Sequence, residues 1–209
     1  MFAQNAAKAF ALLPLLFAVT QPAQAAKTET AIFAGGCFWC IESDFDKIDG
    51  VLETTSGYTG GRSANPTYKQ VSAGGTGHLE ALEVEFNPAK VSYEELLTAF
   101  WHSVDPTDAG GQFCDRGESY QTTVFATSAE QLKKAKASKK ALSKSGEIKA
   151  PLVTPIRTAS AFYDSEDYHQ NYYEKNPIRY KYYRYQCGRD QRVKKVWGEN
   201  AYKGIPGSH

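Results

Sequence analysis

Clustered metal ligands are missing from this chain of 209 residues. The four histidines, His78, His102, His169 and His209, are dispersed, and only one Cys-x-x-Cys is present. A zinc tetrad needs His and Cys gathered at short spacings, so no metal site is read. No glycine-rich phosphate loop appears, so neither a nucleotide nor a flavin is expected, and the cofactor expectation is none. An excess of one charge is missing too: 24 Lys and Arg oppose 23 Asp and Glu. A general nucleic-acid binder is basic overall, so nucleic acid is not an expected partner. There is no internal repeat, no heptad pattern, and no low-complexity stretch beyond one lysine-rich helix. Monomer is therefore the default expectation.

The longest apolar run, Ala9 to Val19, is too short to span a bilayer and contains Pro14. Lys8 before it and Ala23-Gln24-Ala25 after it complete the pattern of a secretory signal peptide over residues 1–25. The mature chain is then expected to be exported, periplasmic in a Gram-negative cell, with no stable membrane insertion. Its remaining length suits one compact domain, read as a catalytic region over 26–177 followed by an irregular basic-aromatic tail over 178–209. That tail interleaves Tyr180, Tyr182, Tyr183 and Tyr185 with Arg179, Lys181 and Arg184. Its rings are expected to pack on the domain while its charges stay in water.

What is present centres on Gly35-Gly36-Cys37-Phe38-Trp39-Cys40. Thr30 to Ala34 reads as an apolar strand, two glycines turn the chain, and Ile41 to Phe45 has a helix-like pattern. Cys37 thus falls at a helix N-terminus, where the dipole favours thiolate, the nucleophilic form. A disulfide between Cys37 and Cys40 would close too small a loop to staple much chain. A redox role for this pair is therefore the better reading, and two bulky aromatics between the cysteines suit an apolar substrate.

Strands are also read over Val51–Tyr58, Leu79–Phe86, Tyr120–Ala126 and Leu152–Arg157. Helices are read from the capping boxes Ser92-Tyr93-Glu94-Glu95 and Ser128-Ala129-Glu130-Gln131, with a short one over Glu166–Glu174. Strands alternate with helices, yet hairpin-like neighbours occur. The expected class is α+β, a two-layer sandwich with a mixed sheet flanked by helices and an irregular C-terminal tail.

A set of motifs then follows in order: Gly36-Cys37-Phe38-Trp39, Gly57-Tyr58-Thr59-Gly60-Gly61, Asn65-Pro66-Thr67-Tyr68, Gly77-His78-Leu79-Glu80, Phe100-Trp101 with Asp105-Pro106, and Asp115-Arg116-Gly117-Glu118-Ser119-Tyr120. This ordered set resembles the A-type peptide methionine sulfoxide reductases over most of the mature chain and fades after Asn176-Pro177. The resemblance implies that Cys37 attacks the sulfoxide sulfur and becomes a sulfenic acid. It implies that Glu80 supplies the proton, that Tyr68 and Tyr120 bind the sulfoxide oxygen, and that Phe38 and Trp39 seat the S-methyl group. Asp115 would orient a tyrosine or a water. The substrate implied is methionine S-sulfoxide in oxidised proteins or peptides, or free, with a thioredoxin-like thiol as reductant.

Turnover requires a second thiol. Cys187 lies where the family often carries its resolving cysteine and is the first choice; Cys40, one helical turn from Cys37, is its rival. Cys114 departs from the family pattern and is open to three roles: structural partner, relay thiol or inert buried thiol. Two other functions compete. A thioredoxin-like thiol-disulfide oxidoreductase would use Cys37-x-x-Cys40 with Thr154-Pro155 opposite it. An exported binding module would carry two static disulfides.

Overall fold

A computed structural model describes residue 1 and residues 28–207; the expected signal peptide, Met1 apart, lies outside the described residues. Strand β1 (Glu29–Ala34) leads into α1 (Phe38–Phe45), then β2 (Val51–Thr59), α2 (Tyr68–Ser72), β3 (Leu79–Phe86) and α3 (Tyr93–Ser103). A two-stranded ribbon, β4 (Gly111–Gln112) and β5 (Asp115–Arg116), precedes a 3-10 turn over Glu118–Tyr120. There follow β6 (Thr123–Ala126), α4 (Ala129–Ser145), β7 (Ile156–Thr158), β8 (Phe162–Asp164), α5 (Tyr172–Lys175), α6 (Pro177–Gln186) and α7 (Arg189–Trp197), and a last 3-10 turn, Gly198–Asn200.

The six-stranded sheet has the order β7-β6-β1-β3-β2-β8. It is mixed: β6 and β7 run parallel, and the other pairs antiparallel. Its centre is formed by β1 and β3, whose side chains are buried on both faces. Ala31, Phe33, Leu82, Val84 and Phe86 join the main core, which takes Ile41 and Phe45 from α1, Leu96, Leu97 and Phe100 from α3, Ala135 and Leu142 from α4, and Val193 and Trp197 from α7. The alternate residues Ile32, Ala34, Leu79 and Ala81 meet Phe125 in a smaller cluster. Alternation along each strand thus separates two apolar layers. The α+β class with helices against a mixed sheet is the fold adopted. Among the described residues no helix is long and apolar enough to cross a membrane.

Local signals explain most elements. Ser92 accepts from the Glu95 N–H while Glu95 returns a bond to the Ser92 N–H, opening α3. Ser128 caps α4 through the Gln131 N–H, but the Gln131 side chain turns to Thr127 and the Thr30 carbonyl instead of completing the box. Tyr120 precedes its strand, which starts only at Thr123. The helix expected over Glu166–Glu174 shrinks to α5, because Gln170 is held by Ser56 and Ser165 and Asn171 is left-handed at φ 52°.

The irregular tail expected over 178–209 is corrected. Pro177 sits at the start of a helix, where its missing N–H costs nothing, and α6 and α7 follow, divided by left-handed Gly188. Tyr180 and Arg184, four residues apart, face inward, as do Arg189, Val193 and Trp197. Buried arginines carry no apolar periodicity, so the pattern was invisible to a hydrophobic reading.

Candidate active site

Cys37 forms the N-cap of α1, where the turn from β1 leaves no room for side chains. A Cβ on Gly35 would strike Ile41, and Gly36, at φ +83°, would meet the Gln112 Cβ at 2.7 Å. The turn is pinned from below, since the Arg189 Nη1 donates to the Gly35 carbonyl at 3.2 Å. Cys37 lies above this turn and is only 7% exposed.

Around it the structure gathers residues from five segments. A cavity of about 60 Å³ is lined by Cys37, Phe38, Trp39, Tyr68, Glu80, Asp115, Tyr120 and Tyr183. A larger cavity of about 410 Å³, edged by Arg62, Glu118 and Arg157, holds none of the expected site residues. The chemistry belongs to the smaller one.

Glu80 is 2% exposed, and one oxygen accepts from the Phe38 N–H at 3.1 Å. The first free N–H of α1 therefore serves the carboxyl and not the Cys37 sulfur. Burial pushes the Glu80 pKa up to about 8, with Asp115 adding to the rise, against the opposing Phe38 bond. Tyr68 and Tyr120 line the same small cavity as Glu80. Burial raises the pKa of both tyrosines, so both remain proton donors.

The expectation of a thiolate at Cys37 is corrected for this resting state. Burial, a hydrogen bond with Cys40 and nearby acids push the Cys37 thiol up. Cys40, 2% exposed, is held below its ordinary value by that hydrogen bond and by the Arg189 and Arg184 cations. Both arginines reach the site from the C-terminal helices. Arg184 pairs with buried Asp44 on α1 at 2.9 Å and donates to the Cys40 carbonyl at 3.4 Å. Of the two thiols, Cys40 is thus the one whose surroundings favour the thiolate, while those of Cys37 oppose it.

Phe38 and Trp39 form the apolar wall. Trp39 stacks on Tyr172 at 3.7 Å between centroids, and its indole N–H donates to His169 Nδ1 at 3.0 Å. Burial lowers the His169 pKa to about 4, so the imidazole is neutral and can accept. Glu166 ties the other side, accepting from the Tyr58 hydroxyl at 3.0 Å and the Tyr68 N–H at 2.9 Å. Asp115 accepts from the Tyr183 hydroxyl, so the tyrosine it orients is neither Tyr68 nor Tyr120. Glu166, His169, Tyr172 and Tyr183 escaped the sequence reading. The one available signal was the density of aromatic residues after Glu166.

Cys114 and Cys187 form a disulfide, whereas Cys37 and Cys40 are free thiols. Cys187, the first choice as resolver, is therefore engaged elsewhere in this structure, and the thiol beside Cys37 is Cys40. Cys114, Asp115 and Cys187 are the one cluster of three ligand-type side chains among the described residues, and its two sulfurs are bonded to each other. Thr154-Pro155 is not part of this cavity: the Pro155 carbonyl accepts from the Val124 N–H and Thr154 meets the Thr122 hydroxyl. The oxidoreductase alternative loses its second motif. The static-disulfide alternative loses one of its two bridges.

A buried thiol facing a proton-bearing carboxyl and two fixed hydroxyls, walled by aromatics, defines a cysteine-dependent reductase site. A family model described as "Peptide methionine sulfoxide reductase" matches residues 29–201. The chain belongs to the peptide methionine sulfoxide reductase family. It is 52% identical over 184 residues to Peptide methionine sulfoxide reductase MsrA 2 of Rhizobium meliloti (strain 1021), covering 88% of this chain and 91% of that one. It is 49% identical over 172 residues to the MsrA of Bacillus subtilis (strain 168), covering 82% and 97%. Its fold is similar to the crystal structure of Mxr1 from Saccharomyces cerevisiae in reduced form, with TM-score 0.69, 32% identity and coverage of 74% and 89%.

Proposed function

We propose that the protein reduces the S epimer of methionine sulfoxide, in oxidised polypeptides or free, through a sulfenic acid on Cys37. The observation that carries this reading is the proton-bearing Glu80 carboxyl sharing a small cavity with Cys37, Tyr68 and Tyr120. A sulfoxide oxygen leaves sulfur only if protonated or strongly hydrogen-bonded. Glu80 gives it a proton while Tyr68 and Tyr120 hold it. As the Cys37 sulfur attacks, its proton passes to Cys40, the thiol one helical turn on, whose surroundings favour its thiolate as acceptor. Oxygen moves from methionine to Cys37, methionine leaves as the thioether, and Cys37 carries S–OH. Phe38 and Trp39 receive the S-methyl group. Reduced methionine is disfavoured because it leaves the two hydroxyls without an acceptor.

Cys40 then attacks the Cys37 sulfur, forming a Cys37–Cys40 disulfide and releasing water. Electrons return from a thioredoxin-like dithiol. The same reading takes the chain to act as a monomer, exported after loss of residues 1–25. The test is methionine release from peptides carrying either sulfoxide epimer, by prereduced wild type and Cys37→Ser. Release from the S epimer alone, lost in Cys37→Ser, is expected. Reduction that survives in Cys37→Ser sinks the reading.

A further inference from the structure

The larger cavity, about 410 Å³, takes no part in the steps above, yet its walls adjoin those of the Cys37 site. Leu79 lines the larger cavity and Glu80 the smaller, and Gln121 stands beside Tyr120 in the same way. Neighbouring residues of a strand lie about 3.8 Å apart and point to opposite faces. The two cavities are thus one residue apart along the chain at β3, and again at Tyr120. Because β3 begins at Leu79, both lie at its start. A third segment joins them: the loop from Gly60 to Arg62 edges the larger cavity and runs on to Tyr68 in the smaller.

The larger cavity is short of side chains and rich in cations. Gly60, Gly61, Gly75 and Gly77 leave bare backbone along its wall, and Arg62 and Arg157 stand at its edge. The Arg157 guanidinium reaches across from β7, since a Cβ on Gly60 would lie 3.7 Å from its Nη1. Arg62 follows in a loop that buried His78 holds on both sides of it. The Gly61 N–H donates to His78 Nδ1 at 3.3 Å, so the other ring nitrogen carries the proton and donates to the Ser63 carbonyl at 2.8 Å. Arg116, Arg184 and Arg192 each pair with a carboxylate, whereas Arg62 and Arg157 form no ion pair among the described residues. The one acid in the lining, Glu118, accepts from the Gly75 N–H at 3.4 Å. Two cations against one carboxylate leave the cavity positive, and both guanidiniums are exposed and free to close on an anion.

We propose that this cavity is an anion subsite of the reductase, which takes an acidic side chain of an oxidised polypeptide whose methionine sulfoxide occupies the Cys37 cavity. This rests on the sulfoxide-reductase reading, and it makes polypeptides with an Asp or Glu near the sulfoxide the preferred substrates. A guanidinium presents paired N–H donors to a carboxylate, and the bare glycine backbone lets a substrate main chain come close. An extended chain advances about 3.3–3.6 Å per residue, so an acid a few positions from the sulfoxide can reach a cavity whose wall is the next residue of β3. Substrates with lysine at those positions meet like charge and are disfavoured. Both arginine contacts face solvent, so each adds little, and together they should raise kcat/KM by about 5-fold. The gain belongs in KM, because a contact remote from the sulfur is the same before and during the reaction.

A peptide series tests the subsite. Each otherwise neutral peptide carries one methionine sulfoxide and one Glu, Gln or Lys, moved outward residue by residue on either side of it. Steady-state reduction is followed with dithiothreitol at low salt. Wild type should favour Glu over Gln by about 5-fold in kcat/KM at one or two adjoining positions, with kcat unchanged. High salt should erase the gain. In Arg62→Gln/Arg157→Gln the Glu and Gln peptides should become equal. In Arg62→Glu/Arg157→Glu the Lys peptide should be preferred at the same positions, a reversal that misfolding does not produce. Equal kcat/KM for all three peptides in wild type overturns the subsite and leaves the reductase reading standing. A Glu preference that survives in both variants overturns its assignment to these arginines. No reduction of any peptide by wild type overturns the reductase reading and the subsite with it.

Discussion

Cys37 and Cys40 are unbonded and buried among rings, whereas Cys114 and Cys187 are bonded and partly in solvent. The difference comes from what surrounds each pair. The first has two buried cations beneath it, contributed by α6 and α7, and a carboxyl above that burial keeps protonated. The second has one carboxylate beside it and a closed loop of 73 residues in sequence separation. Closing that loop restricts the unfolded chain, which a bond between Cys37 and Cys40 scarcely does. The comparison teaches that a cysteine's work is set by which form its neighbours stabilise, since the residue type is the same at all four positions.

The comparison breaks most sharply at the nucleophile. Cys37→Ser should lower single-turnover methionine release by more than roughly 10³-fold, since a hydroxyl neither attacks sulfoxide sulfur well nor carries the oxygen onward. Glu80→Gln should cost about 10²–10⁴-fold in the same assay. It should also flatten a pH profile that in wild type falls as pH rises through about 8, where Glu80 loses its proton. The sign for stability follows. A carboxyl raised in the fold stabilises it fully below the unfolded value near 4.5, and that contribution is lost as pH rises through about 8.

The cations beneath the buried pair come next. Arg184→Met removes the close partner of Asp44 and should destabilise the fold by about 3–5 kcal/mol in chemical denaturation. Replacing Tyr68 and Tyr120 together by Phe should slow the first turnover by about 10²–10³-fold, and each alone by less, because their hydroxyls overlap in role. The smallest effect belongs to the exposed pair. Reducing Cys114–Cys187 should lower unfolding free energy by about 2–4 kcal/mol, read from the shift of a denaturation midpoint.

What was legible was local. The β1–α1 turn shows itself as Gly35-Gly36 after an apolar run, and Glu80 falls on a strand whose alternation is plain. The family motifs named Tyr68, Tyr120 and Asp115, and all three line the cavity. What stayed hidden depends on distance along the chain. His169 meets Trp39 across 130 residues, and Tyr183 meets Asp115 across 68. Nothing local in the sequence singles out Cys114–Cys187 among the pairs that four cysteines allow. The helix dipole at Cys37 is a local cue, whereas the burial that raises its thiol and the two arginines that favour the Cys40 thiolate are set by distant parts of the chain.

The bonds from Arg184 and Arg189 to the first helix and its preceding turn have a consequence in time. They join residues 140 to 154 apart in sequence. At about 5–20 residues per second of synthesis, α1 waits on the order of 7–30 s before its buried cations exist. Throughout that interval Asp44 has no counter-charge from α6 or α7, and both thiols of the first helix stand without the cover of Tyr180 and Tyr183. The sulfurs of Cys37 and Cys40 are thus made well before the helices that shelter them.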